Sequence, residues 1–344
     1  VEIFAKFDVD SLRELEMAKL RNSSICILGG TGFIGTLLIS SLREIEKLHG
    51  LGIRITVYTR DLDKASKKFL TGATDYITIK EFDFLLGACN LGVFDYIVNS
   101  ATPTSSKPGP SNKGIFLQPT LNAVESVIFT AETVQNYPRV LNLSSGAVYG
   151  PQSLEVSNQP EKKAELFDYS DEYWRAKYLS EKALSEFRSQ EHLAVISPRL
   201  FSFYGPGLPL DKHFAIGNFI RDGLSGRAIR VLGSPETRRS YMGPGELTTW
   251  LLRALIDPKP GFFNIGSENS ISMVELATLI SQLTSNKGVE VPNPETLPSN
   301  YVPSTLNFRS AYNLSESVLL ADGLRSWINT IRNSSDIQSR LFKS

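Results

Sequence analysis

Three glycines constrain this chain more than any other feature. Gly29, Gly32 and Gly35 stand in the run Gly29-Gly30-Thr31-Gly32-Phe33-Ile34-Gly35, directly after the apolar run Ile25-Cys26-Ile27-Leu28. Leu37, Leu38, Leu42, Ile45 and Leu48 then recur at the spacing of one helix face. The pattern predicts strand, glycine turn, helix. Such a turn needs residues without Cβ, so that a pyrophosphate can approach the backbone and meet the N–H groups and partial positive charge of a helix N-terminus. The spacing alone is common; its place after a first strand is what makes it informative.

The alternation continues. Ile53 to Thr59, Phe94 to Asn99, Val140 to Leu143 and Leu193 to Ser197 read as strands. Leu62 to Phe69, Leu121 to Val134 and Asp171 to Phe187 read as helices between them. Thr102 to Gly114, rich in Pro, Ser and Gly, reads as a mobile loop. The predicted class is α/β, a Rossmann-type doubly wound parallel sheet covered on both faces. From Phe201 onward, prolines at 206, 209, 235, 244, 258 and 260 interrupt the regularity, and helices are expected at Phe214 to Leu224, Glu246 to Leu255 and Met273 to Leu283. The 344 residues therefore divide into an N-terminal helical extension (1–23), a dinucleotide-binding domain (24–200) and a smaller C-terminal α/β lobe (201–344), with the chain free to cross back between the last two. Leu12, Leu15, Met17 and Leu20 mark one face of the extension's helix.

Charge and cysteine content narrow the partners. Lys plus Arg and Asp plus Glu both number 36, which argues against nucleic acid. Cys26 and Cys89 form no CxxC, and three His complete no zinc pattern, so no metal is expected. Two thiols suit a reducing compartment, and the expected location is cytoplasmic. No apolar run approaches the ~18 residues of a membrane span, and residues 1–21 lack the pattern of a signal peptide.

The end of the second strand bears on the cofactor. Ile55-Thr56-Val57-Tyr58 runs into Thr59-Arg60-Asp61. An NAD site usually has an acid there to accept from the ribose 2′-OH. Thr59 takes that position, and the Arg60 guanidinium suits a 2′-phosphate, so NADP is preferred. Asp61, a position or two late, keeps NAD open.

Tyr173 and Lys177 form Y-x-x-x-K, one helical turn apart on one face. An ammonium beside a phenol favours the phenolate, which would equip Tyr173 as an acid/base during hydride transfer. Tyr178 and Lys182 repeat the spacing. Ser144-Ser145, at a strand's carboxyl end about twenty residues earlier, offer a hydroxyl to the reacting oxygen.

Five ordered motifs then bring a specific resemblance. They are GGTGFIG, Asn99-Ser100-Ala101, SSGAVYG (144–150), YWRAK (173–177) with Glu181, and the run from Pro198-Arg199-Leu200-Phe201 to Tyr204-Gly205-Pro206. Together they resemble the extended short-chain dehydrogenase/reductases, in the nucleotide-sugar epimerase/dehydratase branch, over residues 24 to 330. The resemblance implies that Tyr173 is the general acid/base, that Lys177 holds the nicotinamide ribose, and that Ser145, with Ser144 as the alternative, is the catalytic hydroxyl. It implies that Gly29, Thr31, Gly32, Phe33, Ile34, Gly35, Arg60, Asp83, Phe84, Ala101 and Pro198 line the NADP or NAD site. Ser145, Tyr173, Ser202 and Arg239 would meet a nucleotide sugar, and a homodimer through the Leu121 and Tyr173 helices is a further implication. Gly146 and Ala147 stand where 4,6-dehydratases of this branch carry Asp-Glu, which argues against dehydration. Ser202 replaces the family's Asn, and Gly245-Glu246 a common acidic pair. The first functional reading is a 4-keto-sugar reductase. A 4-epimerase with retained NAD, a reductase of a small carbonyl, and a non-catalytic nucleotide-binding scaffold stand as alternatives.

Overall fold

The computed structural model describes residues 12, 14–70, 75–103, 114–133, 137–150, 152, 158–162, 171–191, 193–212, 214–292 and 296–334. Most of the expected 102–114 loop, Val134 and residues 1–11 lie outside them. A short helix, α1 (Glu14–Lys19), precedes β1 (Ser24–Leu28). Helix α2 (Phe33–His49), β2 (Arg54–Thr59), α3 (Leu62–Phe69), β3 (Ile77–Glu81) and β4 (Tyr96–Asn99) follow. Next come α4 (Leu117–Thr133), β5 (Arg139–Asn142), β6 (Ser144–Ser145), a 3-10 turn (Gly146–Tyr149), α5 (Glu172–Glu191) and β7 (Val195–Leu200).

These strands lie parallel, in the order β3-β2-β1-β4-β5-β7, with β6 paired beside β7. The chain steps outward from β1 to β3, then returns to β4 on the other side of β1. That reversal opens a crevice at the carboxyl ends of β1 and β4, the place where open α/β sheets bind ligands. Alternation along β1 explains the two covered faces. Ile25 and Ile27 enter one core with Leu38, Leu42, Val57 and Trp250. Cys26 and Leu28 enter the other with Val124, Val127 and Leu184.

After Leu200 the chain alternates between this sheet and a smaller lobe. Helix α6 (Ala215–Leu224), β8 (Ile229–Arg230) and β9 (Arg238–Arg239) belong to the lobe. Helix α7 (Pro244–Ile256) returns to pack on α2 and β5, and β10 (Gly261–Ile265) extends the main sheet beside β7. The lobe is completed by β11 (Ile271–Ser272), α8 (Met273–Thr284), β12 (Val289–Glu290), β13 (Asn300–Tyr301) and α10 (Leu320–Asn333). A further helix, α9 (Leu306–Tyr312), lies against β10. In the lobe β9 is flanked by β11 and β13, and β8 pairs with β12. β10 carries Phe262 and Phe263 in a Pro-rich stretch, so local pattern does not announce it as a main-sheet strand.

Pro198 sits inside β7 without breaking the sheet. Pairing with β5 stops at Ile196 and pairing with β6 starts at Arg199, so on that side the ladder asks no N–H of residue 198. At the glycine turn, backbone packs on backbone. A Cβ on Gly35 would lie 2.6 Å from the Gly30 Cα and 2.9 Å from the Gly29 carbonyl oxygen. Gly35→Ala is therefore expected to lower unfolding free energy by about 1–3 kcal/mol, the usual range for overpacking. A urea titration measures it; an unchanged midpoint would show that the turn has room to spare.

Candidate active site

The glycine turn fits a dinucleotide by its own geometry. Gly29 has φ +72°, and a Cβ there would lie 2.7 Å from the Ser100 carbonyl oxygen and 2.9 Å from the Ala101 Cα. A side chain would close the gap between the ends of β1 and β4. Gly32 is the N-cap of α2; no side chain caps the helix, and no acid stands in its first turn. The first N–H groups of a helix have no intrahelical acceptor, so this end is a ready anion site. Phe33 stacks on Phe203, centroids 5.1 Å apart, and so ties the turn to the start of the second half of the chain. Ile34 lies in the core, while Thr31 is half-exposed on the turn.

Along the β2 edge the residues separate by role. Thr59 is buried and Arg60 exposed. Asp61 is the N-cap of α3, its Oδ1 accepting from the Lys64 N–H at 2.9 Å. A structural task thus already occupies the late acid. Lys68, not singled out from sequence, reaches back from α3 to the Thr31 carbonyl at 3.5 Å. Burial, and Lys64 nearby, push its amine down to about 8, and no carboxylate pairs with it among the described residues. The run Lys64, Lys67, Lys68 was the only sequence signal for it. Beyond β3, Asp83 caps its own turn by accepting from the Leu85 N–H at 3.0 Å, and Phe84 is buried against Phe82.

Helix α5 meets the sheet at its other end. Lys177 is 5% exposed; its Nζ donates to the Leu143 carbonyl at 2.6 Å and to Thr102 Oγ1 at 2.9 Å. It sits 5.9 Å from the centre of the Tyr173 ring. The Ser145 Oγ caps the 3-10 turn by accepting from the Ala147 N–H at 3.2 Å. It also acts on the Tyr173 phenol, working to lower its pKa. Ser144 is directed elsewhere: its Oγ donates to Glu181. The structure therefore brings Ser145, Tyr173 and Lys177 together and leaves Ser144 in a buried network. The repeated spacing separates as well, because Tyr178 stacks on Trp174 at 5.3 Å and Lys182 is exposed.

One expectation changes. Burial dominates Tyr173 and holds its pKa above the ordinary phenol value, with Ser145 opposing and Asp171 adding. Lys177 is itself pushed down to about 7 by burial, against the pull of Glu181. Its ammonium donates to a carbonyl and a hydroxyl, and Lys177 is not among the groups that act on the Tyr173 pKa.

The lobe adds a cavity of about 1000 Å³, lined among others by Phe219, Val231, Thr237, Arg239 and Ser299. The Arg239 guanidinium donates to the Arg238 carbonyl at 2.9 Å and to Ser299 Oγ at 3.3 Å. No acid pairs with it among the described residues, and burial works against its charge. A half-buried cation without a carboxylate favours an anionic ligand. Arg239 also lies 5.5 Å over the ring of Tyr301, whose hydroxyl is 3.4 Å from Ser145 Oγ. The cavity and the Tyr173 cleft are therefore adjacent. Ser202 joins the two halves through its carbonyl, which accepts from the Met242 N–H at 3.1 Å. Among the described residues no helix is long and apolar enough to cross a membrane.

Known proteins are similar to this chain in sequence and in fold. UDP-glucuronic acid decarboxylase 5 of Arabidopsis thaliana is 26% identical over 294 residues, 82% of each chain. The dTDP-4-dehydro-6-deoxyglucose reductase of Escherichia coli is 25% identical over 323 residues, 91% of this chain and 98% of that one. The UDP-N-acetylglucosamine 4-epimerase of Methanobrevibacter ruminantium M1, solved with UDP-N-acetylmuramic acid, has the same fold, with TM-score 0.77, 20% identity and coverage of 91% and 99%. The Bordetella bronchiseptica enzyme WbmF, solved with NADH, superposes with TM-score 0.73 at 20% identity over 94% and 96% of the two chains. A sequence profile of one family spans residues 25–266, the larger part of the chain, and on that match the chain belongs to the NAD dependent epimerase/dehydratase family of extended short-chain dehydrogenase/reductase enzymes.

Proposed function

We propose that this enzyme reduces the C4 carbonyl of a 4-keto nucleotide sugar with NADPH. The observation that carries the reading is the grouping of Ser145, Tyr173 and Lys177, with burial raising the Tyr173 pKa, next to a cavity whose Arg239 pairs with no acid among the described residues. A protonated phenol is a proton donor, the state reduction needs; an epimerase must first take a proton from a C4 hydroxyl. Arg239, with no acid paired to it among the described residues, suits a diphosphate rather than a small neutral carbonyl.

The dinucleotide, when bound, supplies the hydride that arrives at C4. Gly29, Thr31, Gly32, Phe33, Ile34 and Gly35 would hold its pyrophosphate, Asp83 and Phe84 its adenine, and Ala101, Lys177 and Pro198 the nicotinamide half. Tyr173 gives its proton to the C4 oxygen as the carbonyl becomes an alcohol, and the phenolate regains a proton from solvent. Ser145 donates a hydrogen bond to the same oxygen and stabilises the charge that develops there. Arg60 and Lys68 supply two cations for the adenosine 2′-phosphate. Gly146 and Ala147 offer no acid or base for chemistry at C5. An acid at 146 would also meet the Phe201 ring, which lies 2.6 Å from the position of a Cβ there. A homodimer through the outer faces of α4 and α5, where Phe129 is 45% exposed, belongs to the same reading.

Three outcomes are expected. Incubated with a 4-keto nucleotide sugar, the enzyme consumes one NADPH per product, and Tyr173→Phe cuts turnover by about two orders of magnitude. Interconversion of C4 epimers on retained NAD, with no net NADPH loss, would replace the reductase by the epimerase. The double variant Arg60→Ala/Lys68→Ala raises KM for NADPH tenfold or more, as expected for lost charge-assisted bonds, and leaves NADH unaffected; equal effects on both would remove the 2′-phosphate assignment.

Lys177→Met abolishes activity yet raises thermal stability at pH 7. The folded amine titrates near 7 and an unfolded lysine near ~10.4, so between those values the unfolded chain binds the extra proton and wild-type stability rises with pH. The variant's advantage, on the order of a few kcal/mol below pH 7, fades toward pH 10. Melting curves across that range test it.

A further inference from the structure

Ser145 has a second phenol. The Tyr301 hydroxyl lies 3.4 Å from Ser145 Oγ and 3.4 Å from the Leu200 carbonyl. Its ring packs on Phe201, centroids 4.5 Å apart, with the Arg239 guanidinium 5.5 Å from its centre. Tyr301 comes from β13 in the lobe, more than a hundred residues from Ser145, yet its ring is packed against Phe201 and Arg239. Proton accounting around Ser145 shows what it can do. The Ala147 N–H takes one lone pair of the Ser145 oxygen. The serine's only proton must go either to a neighbouring phenol or, during reaction, to the substrate oxygen. Tyr301 has one hydroxyl rotor and two acceptors in reach. While Ser145 donates to it, Tyr301 points its proton at the Leu200 carbonyl. Once Ser145 donates to a substrate oxygen, Tyr301 can turn and donate to Ser145 Oγ.

Resting on the reaction centre proposed above, we infer that Tyr301 is a positioning residue for Ser145: its hydroxyl rotor holds the serine in place and donates to it when the serine donates to the reacting oxygen. A donor behind a donor polarises the chain of hydrogen bonds and strengthens its last member. Both contacts lie at the long end of the hydrogen-bond range, and catalytic hydrogen bonds often tighten only with substrate in place. Burial keeps Tyr301 protonated, with Ser145 acting in the opposite sense, so the phenol serves as a rotor and not as a base.

Tyr301→Phe removes the hydroxyl and keeps the ring stack. With a 4-keto nucleotide sugar and NADPH it is expected to lower kcat about three- to tenfold, the worth of one hydrogen bond, with KM unchanged. In a Ser145→Ala background the same substitution is expected to cost nothing further. A second measurement needs no substrate: the tyrosine 13Cζ resonance of Tyr173, assigned by its loss in Tyr173→Phe. Tyr301→Phe moves this resonance in the wild-type background and leaves it unmoved in Ser145→Ala. An unmoved resonance, or an equal shift in both backgrounds, overturns the inference whatever the substrate. Protein that shows the coupling but turns over no nucleotide sugar supports the inference and removes the substrate reading instead.

Discussion

A buried ion pair holds the reaction centre together. Arg199 is fully buried and Glu181 is 2% exposed. Arg199 Nε and NH2 reach the two Glu181 oxygens at 2.9 and 2.7 Å, and a third nitrogen donates to the Lys162 carbonyl. The guanidinium lies between the rings of Tyr149 and Phe262. Glu181 is on α5, Arg199 on β7, and Ser144, which also donates to Glu181, on β6. Such pairs often add little net stability, because two charges must lose their water. Their geometry is nevertheless demanding. This one fixes the rotation of α5 against β6 and β7, and with it the positions of Lys177 and Tyr173, one and two turns upstream, relative to Ser145.

The equal numbers of acids and bases conceal an uneven division of labour. Several carboxylates are spent on backbone. Glu246 accepts from the N–H groups of Ser317 and Val318, Glu268 from that of Thr305, and Glu316 from that of Glu268. These bonds stitch the loops that carry the lobe over the sheet. Arg239 and Lys68 are left with carbonyls and hydroxyls for partners. Arg239 lines the lobe cavity and Lys68 reaches the glycine turn. A neutral chain can therefore present two local positive sites without any excess of base.

Legibility from sequence followed the range of the interactions involved. The glycine turn, β1, β2, β4, α2 and α3 were readable because each depends on its own periodicity and on backbone sterics within a few residues. The Tyr173–Lys177 pairing was readable because a helix turn relates them. The return of β10 to the main sheet and the small β9 sheet were not, since short strands in Pro-rich segments carry no period long enough to detect. Lys68, Thr102 and Tyr301 escaped for the same reason: each matters only through a neighbour distant in the chain.

By itself, then, the sequence determined the parallel α/β architecture, the glycine turn between β1 and α2 and the one-turn spacing of Tyr173 and Lys177, because strand alternation, helix spacing and the absence of Cβ are local properties. Only the tertiary structure decided that Ser144 turns to Glu181, where the late acid of β2 is used, and that burial raises the Tyr173 pKa while Lys177 is pushed down to about 7. Those outcomes depend on burial and on side chains brought from remote segments. Desolvation and long-range hydrogen bonding are set by packing, which no short window of sequence contains.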